Sequence, residues 1–241
     1  MEKKKIGILD SGIGGLSVLN ELDNLIQNKT LIYMGDNNNT PYGNKGKEEL
    51  WALTLYNLSM LKELSLDSLV LGCNTLSVNL LDRVEDFLGI KVFGVFPPVE
   101  RGIIKNRNTL LICTLSTAKT FKTQKNFTVC GLPNLAKDIE DNCFSLNDLD
   151  LNSHFSKIDC LKKAFETVIL GCTHYNLIKT AIYNHFQPRK IISGVEITTK
   201  KVLSYYEDKE NIDKIYENEI LFVGDCANKN LEIFFKVVKN M

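Results

Sequence analysis

Neither sign of charge prevails in this chain of 241 residues, because 29 Lys and Arg are matched by 29 Asp and Glu. Without a basic excess, nothing draws the protein to nucleic acid or to an anionic membrane surface, and neither is expected as a partner. Long apolar runs are also missing. After the charged start Met1-Glu2-Lys3-Lys4-Lys5, only four apolar-type residues precede Asp10, too few for a signal-peptide core or a membrane span. The chain is therefore expected in the cytoplasm. Cys-x-x-Cys pairs are absent: the seven cysteines, at 73, 113, 130, 143, 160, 172 and 226, are odd in number and scattered. In a reducing compartment that excludes a disulfide framework and a structural zinc site, and no metal is expected. Linkers rich in Pro, Gly and Ser are lacking, so composition marks no domain boundary. At 44% hydrophobic and 24% charged residues the remainder is ordinary globular composition. The length fits one large domain or two small ones at about 150 residues per domain.

Short, continuous apolar runs recur: Ile6 to Leu9, Leu31 to Met34, Leu69 to Leu71, Val92 to Phe96, Leu110 to Cys113, Val129 to Leu132, Val168 to Leu170, Ile191 to Ile192 and Ile220 to Val223. Runs this brief read as strands of parallel sheets buried on both faces. Segments with helical spacing lie between them, such as Leu16-Leu19-Leu22-Leu25 and Val78 to Phe87. The expected class is α/β.

An internal repeat organises these runs. Leu69-Val70-Leu71-Gly72-Cys73 matches Val168-Ile169-Leu170-Gly171-Cys172, and Lys91-Val92-Phe93-Gly94 matches Lys190-Ile191-Ile192-Ser193, both at an offset of 99 residues, 73 to 172 and 91 to 190. Weaker echoes pair Ile6 to Asp10 with Leu110 to Thr114 and Leu31 to Asn37 with Thr128 to Asn134. The repeat predicts two similar lobes, each a mostly parallel sheet flanked by helices, with a site in the cleft between them. Residues 1–94 plus 204–241 are expected to form the first lobe and residues 95–203 the second. Ligands of such sheets gather outside the carboxyl ends of the strands, so Cys73 and Cys172 are expected on opposite walls of the cleft.

Each of these cysteines follows a strand and precedes a predicted helix, whose amino end favours thiolate over thiol. Two thiols facing each other across a ligand suit a reaction in which one takes a proton from carbon and the other returns one to the opposite face, as in racemisation or epimerisation. Cys172 acting as a lone nucleophile with His174 as its base is the competing reading, and it leaves Cys73 unused. Asp10-Ser11-Gly12-Ile13-Gly14-Gly15 forms a turn whose N–H groups are placed to hold an anion, with Asp10 either functional or the cap of the following helix. Asn74-Thr75 and Thr173-His174 follow the cysteines with groups able to grip a carboxylate or an ammonium. Thr114, Thr117 and Thr120, at three-residue spacing, either bind a carboxylate or cap a helix. His154 and His185 lie away from these turns and read as surface or core residues.

The sequence resembles glutamate racemase, a cofactor-independent amino-acid racemase family. The resemblance rests on Ile8-Leu9-Asp10-Ser11-Gly12-Ile13-Gly14-Gly15-Leu16-Ser17-Val18-Leu19, Tyr33-Met34-Gly35-Asp36 with Pro41-Tyr42-Gly43, Cys73-Asn74-Thr75, and Leu170-Gly171-Cys172-Thr173-His174-Tyr175, in family order along nearly the whole chain. It implies two α/β lobes, no cofactor, commonly a homodimer, glutamate as the small-molecule substrate, and D-glutamate supplied for peptidoglycan. Carried over, Cys73 is the base for D-glutamate, assisted by Asp10. Cys172 is the base for L-glutamate, assisted by His174 and by Glu140 within Leu135 to Asp141. Asp10, Ser11, Pro41, Tyr42, Gly43, Cys73, Asn74, Thr75, Thr114, Thr117, Cys172, Thr173 and His174 match substrate-binding positions. Departures are Cys113 before Thr114, the loop Phe96-Pro97-Pro98, a short stretch from Thr120 to Val129, and Leu76 in place of a small residue, which is expected to narrow the cleft. Aspartate racemase and a noncatalytic amino-acid-binding protein are the alternatives.

Overall fold

The computed structural model describes residues 3–103, 107–207 and 217–240. Its strands are β1 (Lys4–Asp10), β2 (Lys29–Gly35), β3 (Ser68–Leu71), β4 (Lys91–Gly94), β5 (Thr109–Cys113), β6 (Phe127–Gly131), β7 (Thr167–Gly171), β8 (Lys190–Ser193) and β9 (Glu219–Phe222). Their cores are the nine apolar runs of the sequence. The helices are α1 (Leu16–Leu25), α2 (Lys47–Lys62), α3 (Asn74–Leu88), α4 (Val99–Gly102), α5 (Leu115–Ala118), α6 (Leu135–Asp141), α7 (Leu151–Asp159), α8 (Lys179–Phe186), α9 (Gly194–Glu207) and α10 (Ala227–Lys236). No helix among the described residues is long and apolar enough to cross a membrane.

The strands form two parallel sheets, ordered β4-β3-β1-β2-β9 and, read from the matching edge, β8-β7-β5-β6. The second order repeats the first four strands of the first, so the internal repeat is structural. Its register carries the 99-residue offset, since Ser68 pairs with Lys91 and Thr167 with Lys190. The weaker echoes need correction by one residue. Ile6 stands opposite Ser68 and Thr109 opposite Thr167, so Asp10 answers Cys113 rather than Thr114. Likewise Ile6 pairs with Leu31 and Thr109 with Phe127, so Leu31 answers Phe127 rather than Thr128. A one-residue slip turns every side chain to the other face. Strands that are apolar on both faces show no alternation by which the sequence could reveal it.

One core runs through both lobes. Ile6, Ile8, Leu31 and Tyr33 of the first sheet share a cluster with Leu110, Ile112, Val168 and Leu170 of the second. Between them lie Leu16, Leu19 and Leu22 of α1, Val195 and Val202 of α9, and Ile233 and Phe234 of α10. The opposite face of the first sheet, with Leu9, Leu69 and Leu71, is covered by α2 and α3 through Leu50, Leu58, Leu61, Leu76, Leu80 and Val84. At its far edge β9 pairs with β2. Of the expected lobe limits, 94/95 falls at the end of β4 and 203/204 falls inside α9, a helix that leaves β8 and packs against α1. Residues 208–216 of that division lie outside the described residues.

Candidate active site

The carboxyl ends of the strands converge where the lobes meet. Asp10 ends β1, Cys73 follows β3, Thr114 follows β5 and Cys172 follows β7. Hydrogen bonds cross the junction. The Thr75 and Thr114 hydroxyls lie 3.1 Å apart, Thr173 Oγ1 donates to Asp10 Oδ2 at 3.2 Å, and Ile13 N donates to Glu140 Oε2 at 2.9 Å. Nearer the surface, Asn44 Nδ2 donates to the Pro133 carbonyl at 3.1 Å.

The turn after β1 does hold carboxylates, but they are the protein's own. Gly12 N donates to Asp10 Oδ1 at 2.9 Å, and Ile13 N serves Glu140. Asp10 is not the helix cap, because α1 begins after Gly15. The glycines permit the close approach of the second lobe: a Cβ on Gly14 would stand 2.5 Å from His174 Nδ1 and 2.6 Å from His174 N.

Cys73 caps the amino end of α3 in extended conformation. The expected preference for thiolate is overridden here. Burial, then the Asp10 carboxylate, pushes the thiol up to about 12, against the Leu76 backbone N–H and the Ser11 hydroxyl, which favour the anion. The helix end contributes less than desolvation takes away. Burial also raises Asp10 above the usual carboxylate range, although His174 and the N–H groups of Gly12 and Gly15 oppose it.

Cys172 differs from its repeat mate. It precedes a 3-10 turn over Thr173–Ile178 rather than an α-helix, and α8 starts only at Lys179. Its partner is a side chain: Sγ lies 3.9 Å from His174 Nδ1, and His174 Nε2 lies 2.8 Å from Glu140 Oε2. Burial alone would lower His174, but its bonds to Cys172 and Glu140 hold it well above the ordinary histidine value, so it carries a proton. Burial pushes Glu140 up, and the hydrogen bonds of His174, Ile13 and Asn37 more than offset it, keeping the carboxyl below its usual value. The result is a buried Cys172–His174–Glu140 chain with an imidazolium at its centre.

Among the other expected residues, Ser11, Asn74, Thr75, Thr114, Thr117 and Thr173 are all buried at this junction. Asn74 spends its Nδ2 on the Val95 carbonyl, 3.1 Å away in the chain connecting the lobes. Thr114 caps α5 by accepting from Thr117 N and bonds the hydroxyls of Thr75 and Thr117. Thr120 lies farther out and donates to the Thr117 carbonyl. Pro41 precedes the short turn Tyr42–Asn44, whose Tyr42 hydroxyl donates to Asp36 Oδ2 at 2.5 Å. A Cβ on Gly43 would collide with Thr114, so this turn closes against the second lobe.

Leu76 is fully buried in the cluster that covers the first sheet, a cluster that also holds Cys73 and Tyr42. His154 and His185 pair with Asp138 at 2.9 Å and Asp159 at 3.0 Å, away from the thiols. Asn37 and Lys229 were not singled out from the sequence, and Tyr33 stood in the Tyr33-Met34-Gly35-Asp36 match without an assigned role. Tyr33 donates to the Gly12 carbonyl at 2.5 Å, Asn37 Nδ2 donates to Glu140 Oε1, and Lys229 Nζ lies 3.9 Å from that same oxygen. Among the described residues no group of three or more His, Cys, Asp or Glu is arranged to hold a metal ion.

Fold and site together define a class: two-lobed α/β proteins that present one thiol from the equivalent strand end of each lobe. No protein-family model matches the sequence. The glutamate racemase of Clostridium botulinum (strain Alaska E43 / Type E3) is 33% identical over 265 residues, covering 100% of both chains. That of Staphylococcus haemolyticus is 30% identical over 249 residues, covering 95% of this chain and 92% of the other. The crystal structure of glutamate racemase isoform RacE1 from Bacillus anthracis, 26% identical, superposes with a TM-score of 0.76 over 100% of this chain and 94% of that one. The chain belongs to the glutamate racemase family.

Proposed function

We propose that the protein interconverts L- and D-glutamate by transferring the Cα proton between Cys73 and Cys172, without a cofactor. The observation that carries this reading is the pair of buried thiols at repeat-equivalent strand ends, each with a different ionisable helper. The thiolate of one cysteine takes the Cα proton, and the thiol of the other delivers its proton to the opposite face of the carbanionic centre. One C–H bond breaks and one forms, and the two sulfurs exchange protonation states. The protein ends each turnover in the form that accepts the product enantiomer.

The helpers divide the work. Asp10 stands beside Cys73 and makes its thiolate a stronger base, which a weak carbon acid requires. His174, held by Glu140, sets a positive charge against Cys172. Cys73 serves D-glutamate and Cys172 serves L-glutamate. Ser11, Pro41, Tyr42, Gly43, Asn74, Thr75, Thr114, Thr117 and Thr173 surround the position where the substrate carboxylates and ammonium are to be held. The lobes divide as residues 1–94 with 204–241 and residues 95–203. The protein acts as a homodimer in the cytoplasm, in keeping with seven free cysteines, and its product feeds peptidoglycan.

The test is proton NMR in D2O with L-glutamate and L-aspartate together and no added cofactor. Loss of the glutamate Cα–H signal alone is expected, and exchange at aspartate, or at neither, refutes the assignment. Cys73→Ala and Cys172→Ala should each lower racemisation by at least about a hundredfold, the usual scale for removing a general acid or base. Substantial turnover in either variant contradicts the two-thiol transfer.

A further inference from the structure

Glu140 belongs to the second lobe, yet most of its partners do not. Oε2 is shared by His174 of its own lobe and the Ile13 N–H of the first. Oε1 is held wholly by the first lobe, through the Asn37 amide and, at 3.9 Å, Lys229 of α10. Lys229 is about half exposed, so solvent screens its charge and the pair is worth little by itself. Asn37 is the stronger contact. It lies just past the end of β2, and the carboxylate it meets is almost fully buried. A hydrogen bond to a charged group in such a place is worth more than one between neutral groups.

We propose that Asn37 is a positioning residue: by donating across the lobe junction to Glu140 it fixes the carboxylate that holds the His174 ring, so the first lobe completes the Cys172 side of the site. The inference rests on the two-thiol reading for its meaning in the reaction, though not for its test. The groups that bear on Glu140 are His174 on the turn after β7, itself bonded to Cys172, Asp10 and Tyr33 from the first sheet, Lys229 from α10, Lys137 on α6 itself and Cys143 just beyond it. Asn37 is the neutral member of this set that donates to Oε1. Removing its N–H destabilises the Glu140 anion and, through it, the His174 imidazolium.

The experiment is an NMR titration of the histidine ring signals in the full-length protein. The chain has three histidines: His185 serves as the internal reference because its partner, Asp159, ends α7, while His154 pairs with Asp138, which shares α6 with Glu140, and so reports on that helix. In Asn37→Leu the His174 midpoint should fall by about one pH unit, the scale of one charge-assisted hydrogen bond, while His185 stays in place. Asn37→Gln, which keeps the amide donor, should restore most of the shift, and the alkaline limb of kcat/KM should move with the His174 midpoint. An unmoved His174 signal overturns the proposal, as does an equal shift of all three histidines, which would mean general loosening. If Asn37→Leu does not fold, Asn37→Ala gives the same reading. A wild-type protein that exchanges no glutamate Cα proton refutes the proposed function, while the titration still decides the role of Asn37.

Discussion

Glu140 is almost wholly buried and still ionised, because two N–H donors, of Ile13 and Asn37, and the His174 ring nitrogen converge on it. Its contribution to stability has a definite pH window. A carboxyl held below its usual 4.5 contributes stability above that value and loses it as pH falls through the folded value. A histidine held above 6.5 contributes fully below that value and loses it as pH rises through the folded value. The pair therefore stabilises most between 4.5 and 6.5. Glu140→Gln should cost about 3–5 kcal/mol there, the usual penalty for stranding one partner of a buried ion pair, and less at higher pH. Urea unfolding at several pH values checks this, and a cost independent of pH contradicts the charged pair. The residues of this chain were unevenly legible in the sequence. Cys73, Cys172 and His174 stood out because they sit in a repeat or beside it. Glu140 came only through the family resemblance, and Asn37 and Lys229 could not be seen. Their role depends on two lobes meeting, and no spacing in the sequence encodes that meeting.

At the scale of elements, α3 shows how one helix serves two ends. Its amino end carries Cys73 to the junction, while Leu76, Leu80 and Val84 fasten it to the first sheet. Leu76→Ala should therefore cost about 2–5 kcal/mol of stability, as expected for a buried leucine. Urea unfolding checks this, and a cost well under that range would contradict its place in the core. The nine strands were legible because each is a brief run apolar on both faces. Helix α7 was not: only Phe155 and Ile158 are buried along it, and three-residue spacing over a single turn is too little periodicity to read. The short α4 and α5 are four residues each, held by their neighbours rather than by any pattern of their own.

For the whole molecule, the continuous core makes a claim about cooperativity. The two lobes have separate sheets but share α1, α9 and α10 between them. Trp51, the single tryptophan, lies on α2 in the first lobe, while circular dichroism reports helices of both. Urea transitions followed by the two probes should coincide. A tryptophan transition displaced from the dichroism curve would show that the lobes unfold independently.

The unequal helpers of the two thiols carry a thermodynamic obligation. Cys73 stands with a carboxylate and Cys172 with an imidazolium, so the two halves of the site cannot bind or turn over mirror-image substrates alike. Free L- and D-glutamate have equal energy, and the equilibrium constant between them is unity whatever the protein does. The ratio of kcat to KM must then be the same in both directions. Any advantage in turnover that the asymmetry confers on one enantiomer is matched by weaker apparent binding of that enantiomer. The two-faced site sets the form in which the enzyme waits between turnovers, and the final mixture stays racemic.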